Sequence, residues 1–323
     1  LPKGEKLLEK LTDLLGEFYC NPITRGGRLL EEYVESEREN LADLIRSDIN
    51  DKRSYAARRL LEEMCAGERY GVGRMGAAKD VEKISFQKLN SYYLDILPKG
   101  RLELFYCGSA PEKRVAGAFT RAFAALPRQG GLEPAATIRR PAREPFQVVV
   151  DEMDVSQGKL CIGFRTDSAD IPATMLMNAM FGGTSNSKLF LNVREKLSLC
   201  YYAGSAYHRL KGLITVSSGI EFENYDRAVE EIFRQLESLQ KGEWEDWELT
   251  GARESLLSSL RTMEDSPSSL EDFVVGQAAA GSDETIPGLI AALQGVTPQR
   301  IREAAQAVKP DTIYFLKGKE AQA

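Results

Sequence analysis

The chain has 323 residues, 43% hydrophobic and 28% charged, enough for one large globular domain or two ordinary ones. A net charge of −6 excludes the broad basic face that phosphate neutralisation demands, so no nucleic-acid partner is expected. No apolar run approaches the roughly 20 residues that span a bilayer, and no membrane partner is expected.

The first hundred residues read as helices. Leu7, Leu8, Leu11, Leu14, Leu15 and Phe18 share one helical face. Leu30 to Ser47 is highly charged, with Tyr33, Val34, Leu41, Leu44 and Ile45 as its apolar residues, and a further helix follows from Ser54 to Cys65. Val81 to Ile96 makes another, with Ser85 as the candidate N-cap. Pro98-Lys-Gly100 ends it, and the alternation of Arg101 to Cys107 predicts a strand. A helix from Pro111 to about Leu126 precedes residues 127–145, whose Gly, Pro, Ala and Arg content reads as a linker.

Strands are expected at Phe146 to Val150 and Lys159 to Phe164, then a helix at Ala173 to Met180 and a turn at Gly182-Gly183. A helix from Lys188 to Leu197 leads into strands near Leu199 to Tyr207 and Gly212 to Ile220. Three long amphipathic helices follow, at Tyr225 to Gln240, Glu245 to Met263 and Ser268 to Ala280.

There is an internal echo. Ile84-Ser-Phe-Gln-Lys-Leu89 with Pro98 and Leu102 to Phe105 resembles Val296-Thr-Pro-Gln-Arg-Ile301 with Pro310 and Ile313 to Leu316. Each is a capped helix, a proline break and a strand, offset by 212 residues. Two copies of one α+β unit account for it. The first copy would then begin on the order of 66 residues upstream of Leu1, so a chain truncated at its N-terminus is expected.

Five scattered cysteines, none in a Cys-x-x-Cys pair, read as reduced thiols in a cytoplasmic protein. A zinc site needs three or four converging ligands, and the single histidine, His208, lies in a strand-like run. No metal ligand and no catalytic group is therefore assigned. Ser185, Ser187 and Ser198 have no accompanying base, which argues against a serine hydrolase. The acidic runs Glu35 to Glu39 and Glu243 to Glu248 read as solvated helix faces. Trp244 and Trp247 read as a packing staple.

The densest motif is Phe181-Gly-Gly-Thr-Ser-Asn-Ser-Lys-Leu-Phe190 running into Val193-Arg-Glu-Lys-Leu-Ser-Leu-Cys-Tyr-Tyr202. It sets Arg194 and Tyr201 on either side of a helix-to-strand turn, where a guanidinium and a phenol together suit a carbonyl or developing oxyanion. This wording resembles the second repeat of the M16 (insulinase, pitrilysin, mitochondrial processing peptidase) zinc metallopeptidases. Glu37-Arg-Glu-Asn-Leu41, Tyr55 to Cys65 and Asp265-Ser-Pro-Ser-Ser-Leu270 resemble its inactive, YmfF-type bacterial branch.

The resemblance implies an α+β, LuxS/MPP-like fold of two related units with a helix-covered, largely antiparallel sheet: residues 1–126 the incomplete first unit, 127–145 the linker and 146–323 the second. It implies that Arg194 and Tyr201, with Gly182 and Gly183 of a substrate loop, contact a peptide. The family's zinc is held by a His-x-x-Glu-His motif in the first repeat and by a Glu seven residues after another functional Glu. With Glu37 in the first of those positions, Leu44 stands in the ligand position, and leucine cannot coordinate zinc. The implied function is a non-catalytic, substrate-binding subunit that pairs with a zinc-bearing sister chain, or forms a homodimer. Two alternatives are open: a zinc peptidase whose histidines lie upstream of Leu1, and a non-proteolytic scaffold or regulator.

Overall fold

The computed structural model describes residues 6–130 and 137–319. In chain order its elements are α1 Leu7–Cys20, β1 Thr24–Arg25, β2 Arg28–Leu29, α2 Glu31–Ser47, α3 Lys52–Met64, α4 Ala78–Val81, α5 Phe86–Lys99, α6 Glu112–Ala122, β3 Gln147–Met153, β4 Gly158–Thr166, α7 Ile171–Asn178, β5 Cys200–His208, β6 Leu213–Ile220, α8 Tyr225–Lys241, α9 Asp246–Met263, α10 Pro267–Ala280, α11 Ile286–Gln294, α12 Pro298–Gln306 and β7 Val308–Gly318. Two π-helical segments, Ala179–Gly183 and Leu189–Lys196, interrupt the stretch between α7 and β5.

The chain forms two compact units. Among the described residues, one comprises 6–47, 75–130 and 271–279; the other comprises 48–74, 137–270 and 280–319.

In the first unit, α1 packs on α6, and Arg114 holds Glu9 through two hydrogen bonds of 2.8 Å. The residues α1 buries are Thr12 and Gly16, whereas Leu7, Leu11, Leu14, Leu15 and Phe18 are exposed. The β1–β2 hairpin turns through Gly26 and Gly27, both at positive φ, which only glycine adopts freely. Ser85 caps α5 as its sequence predicts, accepting from the Lys88 amide. Residues 101–107 are not a strand. Alternation supplies a two-faced ribbon but not the neighbour that satisfies its N–H and C=O groups. Among the described residues nothing pairs with it, and Leu104 and Tyr106 are exposed. The echo therefore holds at its helix but only the later copy, β7, is a strand.

The second unit is built on a five-stranded sheet of order β3-β7-β4-β6-β5, parallel between β3 and β7 and antiparallel elsewhere. Period-2 alternation gives it two apolar faces. Leu160, Ile162 and Phe164 of β4 are fully buried, and Phe164 meets Phe181 and Phe233 edge-on at 6.2 and 5.9 Å. Cys161 of the same strand joins Tyr314 and Leu316 of β7 against Ala56 and Leu60 of α3. Residues 48–74, which precede the linker-like stretch, thus fold with this sheet. Gly163 allows the approach of α3: a Cβ there would crowd the Met64 side chain.

Residues 131–136 of the linker-like stretch lie outside the described residues. Residues 137–145 are tied down within the second unit. Arg139 donates to the Ser168 and Arg209 carbonyls at 3.0 and 2.8 Å, and the Arg143 amide donates to Asp311 at 3.1 Å. Arginine-rich composition reads as solvated linker, but a guanidinium fork also suits free carbonyls.

Candidate functional site

The segment leading into β5 is shaped by local backbone chemistry. Leu189–Lys196 is wound as a π-helix, with Leu189 and Val193 buried and Arg194, Glu195 and Lys196 on its other side. It ends by folding back: the amides of Ser198 and Leu199 donate to the carbonyls of Arg194 and Val193 at 3.1 and 3.0 Å. Ser198 takes φ +49, a left-handed conformation uncommon for a residue with a side chain. Such strain is concentrated at sites where geometry is imposed by the surroundings.

The strand then opens with a bulge. Cys200 pairs with Ile220 and Tyr202 with Gly219, so Tyr201 is an extra residue that the ladder does not accommodate. Tyr202 is held inward, beneath the Arg53 guanidinium 4.1 Å from its ring centre, and Gly219 makes room for that ring. Tyr201 is turned out and is 60% exposed.

Arg194 and Tyr201 line the same cavity, of about 400 Å³, together with Glu195, Ser198, Glu221 and Asn224. The Arg194 guanidinium lies 4.7 Å from the Phe190 ring centre and pairs with Glu195 at 3.2 Å. That contact uses Nη1, and the planar fork carries further N–H donors. The Tyr201 phenol donates to Glu221 Oε1, and this hydrogen bond raises the phenol pKa above its ordinary value. Glu221 directly follows β6, the strand beside β5. Its role was missed in the sequence because the contact spans 20 residues and depends on the bulge.

Gly182 and Gly183 do not line this cavity. Gly182 is buried, and a Cβ on it would sit 2.7 Å from the Ser205 amide of β5. Gly183 is exposed, next to Asn178. The chemistry that needs glycine at 182 is the close approach of the π-turn to the strand.

The described residues do not fit a zinc ion. Among the described residues no group of three His, Cys, Asp or Glu side chains converges. His208 is engaged at both ring nitrogens, Nδ1 with the Tyr70 hydroxyl at 2.9 Å and Nε2 with Thr215 at 3.2 Å, and burial lowers its pKa. Leu44 is 55% exposed on α2 and offers no donor atom. Burial raises the Cys200 thiol, so the one cysteine at the cavity is a poor nucleophile at neutral pH. The acidic run near α9 is structural. Glu245 and Glu248 form a capping box, and Glu248 meets the buried Lys188 at 3.1 Å.

Comparison with known proteins agrees with this architecture. The family described as peptidase M16 inactive domain matches residues 83–256. The chain is 35% identical to the "Probable inactive metalloprotease YmfF" of Bacillus subtilis (strain 168), over 97% of its own length and 74% of that protein's. A conserved protein from Enterococcus faecalis V583 superposes with a TM-score of 0.89 at 25% identity, covering all of this chain and 77% of that one. The peptidase M16 inactive domain from Pseudomonas fluorescens shares the fold at a TM-score of 0.76 and 17% identity, over 98% of this chain and 76% of that one. A family model that covers residues 83–256 and 35% identity to a relative along 97% of the chain place this protein in one lineage, and the chain belongs to the peptidase M16 inactive domain family.

Proposed function

We propose that this chain is the non-catalytic, substrate-binding subunit of an M16-type zinc peptidase pair. Arg194 and Tyr201 hold a stretch of peptide beside a metal carried by a zinc-bearing sister subunit. The observation that carries this reading is the shared cavity: the bulge after the π-helix leaves Tyr201 out of the ladder, and Tyr201 and Arg194 line one cavity. A rigid guanidinium fork on a π-helix and an exposed phenol on a strand, rather than on a free loop, are suited to orienting a peptide unit. Leu44, where the family's metal ligand stands, supports a binding rather than a hydrolytic role for this chain.

The test is peptide cleavage by this chain combined with a zinc-bearing M16 subunit, comparing wild type with Arg194→Ala and Tyr201→Phe. Loss of transition-state positioning predicts a fall of at least about tenfold in kcat/KM for Arg194→Ala. Unchanged cleavage in both variants would leave a scaffold or regulator as the better reading.

A further inference from the structure

The proton of Tyr201 is already committed. Its hydroxyl donates to Glu221 Oε1, and a phenol has only one proton to give. What the Tyr201 hydroxyl has left to offer a ligand is therefore an acceptor lone pair. The second carboxylate oxygen of Glu221 is likewise an acceptor, and both residues line the same cavity. Arg194, which lines the same cavity, brings donors. A carbonyl suits Arg194, but neither Tyr201 nor Glu221 can donate to one while they are bonded to each other. The two together call for a ligand group rich in N–H and bearing positive charge.

We propose that Tyr201 and Glu221 form an acceptor pair for a primary ammonium of the bound peptide, with Arg194 holding a neighbouring carbonyl. This inference rests on the reading that the cavity binds peptide, and it adds which peptides are preferred. The ammonium has two sources, a lysine side chain or a free N-terminus. The pair is solvent-accessible, with Tyr201 60% exposed, so the preference is modest and sensitive to salt.

Four heptapeptides of Ala, Ser and Leu with a C-terminal fluorophore would be titrated by anisotropy against the whole chain. They carry either Lys or norleucine at the centre, and a free or acetylated N-terminus. The acetylated norleucine peptide is expected to bind up to about fivefold more weakly than whichever ammonium peptide fits, and the fitting peptide identifies the source. Glu221→Gln keeps an acceptor for the Tyr201 hydroxyl but loses the charge, and should erase that difference with an unchanged melting temperature. If all four peptides bind wild type equally and Arg194→Ala weakens all four, the cavity binds peptide without choosing an ammonium, and this inference alone falls. If none of the four binds, both the inference and the peptide-binding reading fall.

Discussion

Arg165 donates from Nε to Asp311 Oδ2 at 2.9 Å, in the interior of the second unit, where the aspartate is wholly buried. The same guanidinium donates to the Met64 carbonyl at 2.6 Å and to Glu68 at 2.8 Å, and Glu68 also receives Lys211. One β4 residue thus ties the end of α3 and the following segment to the sheet. Removing one member of a buried ion group strands the others without water. Arg165→Ala is expected to lower stability by about 3–5 kcal/mol, read from urea midpoints at neutral pH. A loss below about 1 kcal/mol would show that Asp311 and Glu68 find other partners.

The same cluster sets an acid limit. Burial pushes the Glu68 carboxyl up, but hydrogen bonds from Lys211 and Arg165 outweigh it and hold the group below its ordinary value. A folded-state pKa below the unfolded one contributes stability that is fully present above the unfolded pKa, about 4.3. That contribution is lost as pH falls through the folded value. Wild type should therefore lose stability below about pH 4 more steeply than Glu68→Gln, which has no carboxyl to protonate at that position. Parallel urea-midpoint curves for the two proteins between pH 7 and 3 would contradict this.

Gly182 and Gly183 should separate by substitution. Alanine at 182 drives a Cβ into the Ser205 amide and the Leu189 side chain, at 2.7 and 2.8 Å. Overpacking of this kind costs about 1–3 kcal/mol. At 183 the nearest atoms, on Asn178, are 3.1 Å away and the residue is exposed, so Gly183→Ala should cost less than about 1 kcal/mol. Thermal melts of the two variants check this directly. A larger loss at 183 would mean that the turn, not its contact with β5, is the constrained feature.

Metal binding can be tested on this chain without a partner. Incubated with one equivalent of zinc and desalted, it is expected to keep far less than one ion per chain by elemental mass spectrometry. His208 is held by Tyr70 and Thr215, and Leu44 has no donor atom. Retention of a full equivalent that survives His208→Ala would point to ligands outside the described residues.

Much of the second unit was legible in the sequence because its signals are local. The strands at 147–153, 158–166, 200–208 and 213–220 follow two-residue alternation or continuous apolar runs bounded by turn residues. The helices at 225–241 and 246–263 follow a 3.6-residue period. Arg194 and Tyr201 were legible for the same reason, as two residues of one short motif. Residues 101–107 have the same alternation and no strand. The alternation says which face is apolar, not whether a neighbour exists to complete the hydrogen bonds.

The sequence by itself determined the helices, the strand alternation, the family resemblance and the lack of a donor at Leu44, because each depends on residues within a few turns of one another. The tertiary structure decided the rest. It paired β3 with β7 across 165 residues, seated α3 on the sheet and expelled Tyr201 from its ladder onto Glu221. It also buried the Arg165–Asp311 pair. These are outcomes of long-range hydrogen bonding and close packing, in which a single extra residue in a strand redirects a side chain. A one-dimensional pattern carries no term for the partner strand that makes a residue extra.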